Sequence, residues 1–355
     1  MDRIKIIVAV LCLTIAFTGC NTTNNDDSGK TNNSSKAEVV TEEITNGSEQ
    51  EIQPEDVSET GTKDDADTNG DTSEATFSED DSTGQMVEKM EKKYGVDIIY
   101  GDDIRTVYEE EDETLKAEKS TDDNGIRTAL KHVDEALDVF PQGLTEQLIS
   151  ADGSPMKIYL TGTISSDIEL FEDGGIPAFA NKNDTETYLA IDISPDGEIN
   201  VPTVCHELTH IIDFFMTDMG TFSESKWESL NPEGFAYTEN YNTYRDSEFT
   251  DKYCYTSEKY IPRVLSQDAD DVYFYYNYAL TFAMEDRATL MEDLIVDMMW
   301  GYEIAPGLYS FPHVHEKAQY FLEAVRDSFT LNEEDVAEWQ NTFDMLSKVT
   351  PDTPY

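Results

Sequence analysis

Residues 201 to 215 constrain this chain more than any other stretch. Wound as a helix, the segment is apolar on most faces through Val204, Leu208, Ile211, Ile212, Phe214 and Phe215, so it has to run through a protein core. His206, Glu207 and His210 stand inside it. The two histidines are four residues apart, which on a helix places them on one face a single turn apart. Imidazoles presented in this way can share one zinc ion, with bonds to nitrogen of roughly 2.0–2.1 Å. Glu207, next to the first of them, has the position of a general base toward a water on that metal. The chain holds only five histidines in 355 residues. At such frequencies an H-E-x-x-H arises by chance in about one chain in a hundred.

A catalytic zinc takes three protein ligands and keeps one position open. Asp213, three residues beyond His210, would crowd the site as a direct ligand and suits an acceptor for an imidazole N–H instead. Glu233, Glu239, Glu285 and Glu292 are the other candidates for the third ligand. The apolar stretch 278 to 288 reads as a helix, with Tyr278, Phe282, Glu285 and Thr289 along one face. An acid on the inward stripe of such a helix has to be paired or metal-bound, which favours Glu285. His313 and His315 form a rival pair, but alternate residues share a face only on a strand and this segment reads as helical. His132, with no metal-ligand partner nearby, reads as a surface or packing histidine.

Composition limits the partners. There are 75 acidic against 24 basic side chains and a formal net charge of -51, which excludes nucleic acid as a natural partner. Residues 21 to 85 carry -15 of this and residues 86 to 355 carry -37, so the acidity belongs to the folded part as well.

Residues 1 to 19 read as an export signal. Arg3 and Lys5 precede an apolar run from Ile6 to Phe17, too short to span a bilayer. Phe17-Thr18-Gly19-Cys20 resembles a bacterial lipobox, which implies cleavage before Cys20 and a lipid on its sulfur. The expected location is the outer face of a cell membrane, anchored but not spanning. Residues 20 to 85, rich in Asn, Thr, Ser, Asp and Glu and nearly without aromatics, read as a disordered tether. The half-match to a calcium loop at Asp65 to Gly70 has Thr76 where the bidentate acid belongs, and carries no calcium site. Cys205 and Cys254 remain beyond the leader; export permits a disulfide, but Cys205 reads first as a small buried residue.

From residue 86 the pattern becomes globular. A helix over Met86 to Tyr94 leads to a strand over 96–100, and an amphipathic helix over 126–140 stops at Pro141. Strands are expected at 156–160, 176–180 and 188–193, then the metal-bearing helix and a helical remainder. That order suits one α+β domain over residues 86 to 355 with a small mixed sheet, an active-site helix and a helical C-terminal half.

The two motifs, His206-Glu207-x-x-His210-x-x-Asp213 and Tyr278 with Glu285 seven positions on, resemble those of the gluzincin metallopeptidases. Within them the likeness is to catalytic domains such as those of anthrax lethal factor and the clostridial Pro-Pro endopeptidases. The resemblance implies a zincin-like fold, Glu285 as third zinc ligand and Tyr278 as a donor to the reacting carbonyl. It implies hydrolysis of protein or peptide substrates, with Glu207 as the base. Tyr237 is a second candidate for the carbonyl donor, and the sheet edge near 174–180 or 188–193 is where an extended substrate would pair. A surface binding lipoprotein without turnover, or an amide hydrolase acting on cell-wall peptide, are the rival expectations. The stretch Trp227 to Tyr237 reads equally as a loop over a cleft or as packing.

Overall fold

A computed structural model describes residues 8–10, 76–109, 114–166, 176–194, 197, 200–240, 247–255, 269–299 and 311–346. Cys20, expected to carry the lipid, nearly all of the expected tether and the calcium half-match lie outside these residues. From residue 76 onward the described chain belongs to one compact unit of mixed α+β architecture.

The N-terminal half builds the sheets. In chain order it runs β1 (Val8–Val10), α1 (Thr83–Tyr94), β2 (Asp97–Tyr100), β3 (Val107–Glu109), β4 (Thr114–Ala117) and α2 (Asp123–Leu137). Then follow α3 (Gln142–Thr145), β5 (Lys157–Thr161), β6 (Ile164–Ser166), β7 (Ala178–Lys182) and β8 (Thr187–Asp192). The main sheet has the order β1-β7-β8-β5-β2, with β2, β5 and β8 parallel and β7 antiparallel to β8. β8 is buried at every position, as a central strand covered on both faces must be. Alternation then sorts the side chains. Ile158, Leu160, Leu189 and Ile191 join the core beneath the helices, while Tyr159, Phe179, Tyr188 and Ala190 face the other way. That second face is covered by a smaller sheet, β3-β4-β6, through Tyr108, Leu115 and Ile164. Sequence patterning located β2, β5, β7 and β8 but not β3, β4 and β6, which are only three or four residues long. β1, from the apolar run read as an export signal, pairs antiparallel with β7, Val8 opposite Ala180.

Helices dominate after residue 200: α4 (Val201–Met219), α5 (Glu224–Glu228), α6 (Ser247–Tyr253), a 3-10 turn at Asn277–Leu280, α7 (Ala283–Met299), α8 (Pro312–Ser328) and α9 (Glu333–Leu346). The start of α4 is set by Asn200, whose side chain accepts the Thr203 N–H at 2.9 Å, with Pro202 in the first turn. It ends at Gly220, where φ is 67° and a side chain would be strained. Between these caps α4 packs on β7, β8, α2, α7 and α8, which explains its apolar circumference.

The expected continuous helix over 278–288 is replaced by two pieces. Thr281 closes the 3-10 turn by directing both its N–H (3.0 Å) and its hydroxyl (2.7 Å) to the Tyr278 carbonyl. The carbonyls of Leu280 and Thr281 accept from the N–H groups of Thr238 and Glu239 at 3.1 and 2.9 Å. A through-going helix would use those carbonyls itself, so α7 begins afresh at Ala283 and Tyr278 is not on its face.

Candidate metal centre

α4 and α7 lie side by side and bring three side chains together. His206, His210 and Glu285 are fully buried, and one ligand atom from each lies within 4.8 Å of the others. His206 Nε2 is 3.2 Å and His210 Nε2 3.5 Å from the same oxygen, Oε2 of Glu285. Four ligands at zinc distances define a tetrahedron with edges of roughly 3.3 Å. The two separations bracket that edge, and the longer one is poor as a hydrogen bond.

The polar atoms that remain point the same way. Both ring nitrogens of His210 and both carboxylate oxygens of Glu207 are buried without a hydrogen-bond partner among the described residues. A buried polar group left in that state costs roughly 1–3 kcal/mol. Of these atoms His210 Nε2 is the one that faces Glu285 and His206, and the His–His–Glu donor set fits a metal ion.

Electrostatics agree. Burial pushes the Glu207 carboxyl well above the ordinary carboxylate range; His206 opposes this, and the charges of Glu285 and Glu292 add to it. The backbone of Ala180, on β7, also opposes it. His206 is shifted up, because its bonded acids Glu285 and Glu292 outweigh the burial that would drive it down. In His210 burial wins over Glu285 and the shift is downward. Glu285 is held low by the two imidazoles against its own burial. Glu207, Glu285 and Glu292 thus gather around two imidazoles, and a divalent cation would balance them.

Several expected placements change. Glu233 and Glu239 are exposed and take no part in the cluster. Asp213 is not an acceptor for an imidazole: its Oδ2 is bound by the Nε and Nη2 of Arg287, which also bonds Glu224. The buried guanidinium one helix over is a stronger partner than a ring N–H. The acceptor for an imidazole is Glu292, whose Oε2 is 2.9 Å from His206 Nδ1. Tyr278 is buried beside Phe214 and Met284 with its ring stacked on Tyr276. Tyr237 is committed elsewhere, accepting from Trp227 and Asn231 and donating to Asp286 at 2.8 Å. Trp227 itself is fully buried against Phe222 and Phe321, so at that residue the 227–237 stretch is packing.

The other histidines stay out of the centre. His313 and His315 lie on α8, and the His313 ring stacks on Tyr273 at 3.8 Å. His132 is half-buried on α2. Cys205 and Cys254 are both buried and unbridged, with Cys205 Sγ directed at the Ala136 carbonyl.

A second buried charge group, unmarked by the sequence patterning, lies nearby. Lys317 is 1% exposed and bonds Asp286 at 2.7 Å, next to the Asp213–Arg287 pair. Its trace in the sequence is Glu285-Asp286-Arg287, three consecutive charges in the otherwise largely apolar stretch 278 to 288. Comparison with known proteins returns nothing: no family model matches the chain, and neither a characterised protein nor a solved structure matches it.

Proposed function

We propose that the chain is a zinc-dependent peptidase of the gluzincin kind, with a zincin-like fold and a lipid anchor at Cys20 on the outer face of a membrane. The observation that carries the reading is the buried His206–His210–Glu285 group, with Glu285 at tetrahedral-edge separations from both histidines and with Glu207 beside it. Zinc held by these three side chains would supply a Lewis acid toward a peptide carbonyl and lower the pKa of water there.

The remaining work falls to the chain. Glu207 is one residue from a ligand and spends neither oxygen on the fold, so it is free to take a proton from water and pass it to the departing amine. A binding protein has no use for a buried, unpaired carboxylate, and its cost sets the enzyme apart from the binder. Tyr278, in the turn leading into α7, would donate to the oxyanion. The edge of β7 that β1 occupies, antiparallel over Ala178–Ala180, would pair with an extended substrate only in place of β1, and β8 lies inside the sheet between β7 and β5. Among the described residues no helix is long and apolar enough to cross a membrane.

The test is a digest of a broad peptide mixture by wild type and Glu207→Gln in parallel, with zinc measured in both. Cleavage by wild type alone, at equal zinc content, supports the proposal. Equal cleavage by both proteins, or by neither, overturns it.

A further inference from the structure

Glu292 has no place in the ligand triangle, yet its carboxylate is 12% exposed and aimed at a ligand. It lies seven residues after Glu285 on α7, so the two acids share one helix face two turns apart. The His206 ring is held between them. Its Nε2 meets Glu285 Oε2 at 3.2 Å, and its Nδ1 meets Glu292 Oε2 at 2.9 Å. His210 has no equivalent: its Nδ1 is buried and unpartnered among the described residues.

We infer that Glu292 is a positioning residue that selects the ligating form of His206. Both nitrogens face a carboxylate, but the Nδ1 contact is the shorter and lies outside the ligand triangle, so Glu292 keeps the hydrogen on Nδ1 when a metal takes the place of any proton between Nε2 and Glu285. The Nδ1 contact also fixes the ring plane. His206 is thereby the prepared ligand, and His210 is the one that orders when metal arrives. A hydrogen-bonded carboxylate also makes the imidazole a stronger donor to the metal, the usual consequence of such an outer contact. Glu292 thus acts through His206 and touches neither substrate nor metal.

This rests on the metal reading, and the experiment separates the two. Zinc affinity of the full chain is measured by competition with a chelator for wild type, Glu292→Gln and Glu292→Leu, and the nitrogen NMR shifts of the His206 ring are read in the zinc-loaded proteins. The expected result is a loss of roughly 10–100-fold in affinity for Glu292→Leu. Glu292→Gln, which keeps an acceptor, recovers part of it. The wild-type ring carries its proton on Nδ1. A role confined to stability would lower the unfolding temperature and leave both readouts in place. Wild type that holds no zinc defeats the metal reading itself. Wild type that holds zinc while folded Glu292→Leu holds it equally well defeats only this inference. Should Glu292→Leu fail to fold, a proton on Nε2 of His206 in zinc-loaded wild type overturns it just as well.

Discussion

Two groups of buried charge meet at the junction of α4 and α7, and they are built on opposite logic. In one, Asp213 is matched by Arg287 and Asp286 by Lys317, with Glu224 and Tyr237 taking up further bonds. Aromatic rings seal it: Arg287 lies over Phe222 at 4.7 Å and Lys317 over Phe274 at 3.9 Å. The other holds Glu207, Glu285 and Glu292 around two imidazoles, with His206 between Glu285 and Glu292. Burial is equally deep in both, so depth does not distinguish them. The balance of charge and the satisfaction of polar atoms do. A group that carries its own counterions is a structural joint, whereas one that lacks them is shaped for a cation from outside.

The largest expected effect would break the comparison outright. His206→Ala or His210→Ala should remove the single bound zinc and bring peptide turnover to background, while Lys317→Met should leave zinc at one per chain. Elemental analysis of the purified proteins is the measurement. Undiminished zinc in both histidine variants would mean that the acid-rich group is not a metal centre. Glu285→Gln belongs to the same set and should weaken zinc by at least about tenfold, because it removes a charged ligand while keeping volume.

Next in size is the structural joint. Lys317→Met strands Asp286 in the core and should cost roughly 3–5 kcal/mol in urea unfolding of the metal-free protein. Replacing both partners, Asp286→Leu with Lys317→Met, should recover most of that loss, since an apolar pair needs no counterion. If the single and double variants are equally unstable, Asp286 is doing more than pairing with Lys317.

A third test separates the two tyrosines. Tyr278→Phe should retain zinc and slow turnover by roughly 10²–10³, the cost of one oxyanion donor. Tyr237→Phe loses a bond to a charged acceptor, and should cost roughly 1.5–3 kcal/mol of stability while changing turnover little. Reversed phenotypes would move the oxyanion role to Tyr237 and redraw the boundary between the two groups.

How much of this could be read beforehand follows from how local each signal is. The H-E-x-x-H helix is a pattern of five residues within one turn of repeat, and it appears where expected with the right face buried. Glu285 stood out for the same reason, as an acid on an apolar stripe. Arg287 and Lys317 did not, because a charge next to other charges on a helix resembles a solvated face. Only the distant packing of Phe222, Trp227 and Phe274 shows that it is enclosed. The break before α7 was hidden likewise: its cause is a pairing with Thr238 and Glu239, some forty residues upstream. Glu292 was considered only as a ligand, since spacing along a helix cannot tell which ring nitrogen an acid will meet.

The smallest effect concerns a third charged site, away from both groups. Arg105 lies within 5.1 Å of the ring centres of Tyr108, Tyr159 and Tyr188, between the two sheets, and is paired with Glu186. Glu186 also takes Lys157 at 3.1 Å and the Tyr159 hydroxyl at 3.2 Å. Burial would raise its pKa, but the Arg105 and Lys157 charges outweigh burial and hold it below the ordinary carboxylate range. A carboxyl whose folded pKa is depressed binds its proton more readily in the unfolded chain, so its contribution is complete above the unfolded value. That contribution is lost as pH falls through the folded one. Glu186→Gln should therefore cost about 1 kcal/mol at pH 7, and the gap to wild type should close below the ordinary carboxylate range. Zinc content and turnover should not move, because the site lies on the sheet face opposite α4. Urea midpoints of the two proteins across pH 3 to 7 provide the comparison. A gap that stays constant over that range would show that shape, and not the charge of Glu186, holds the small sheet to the large one.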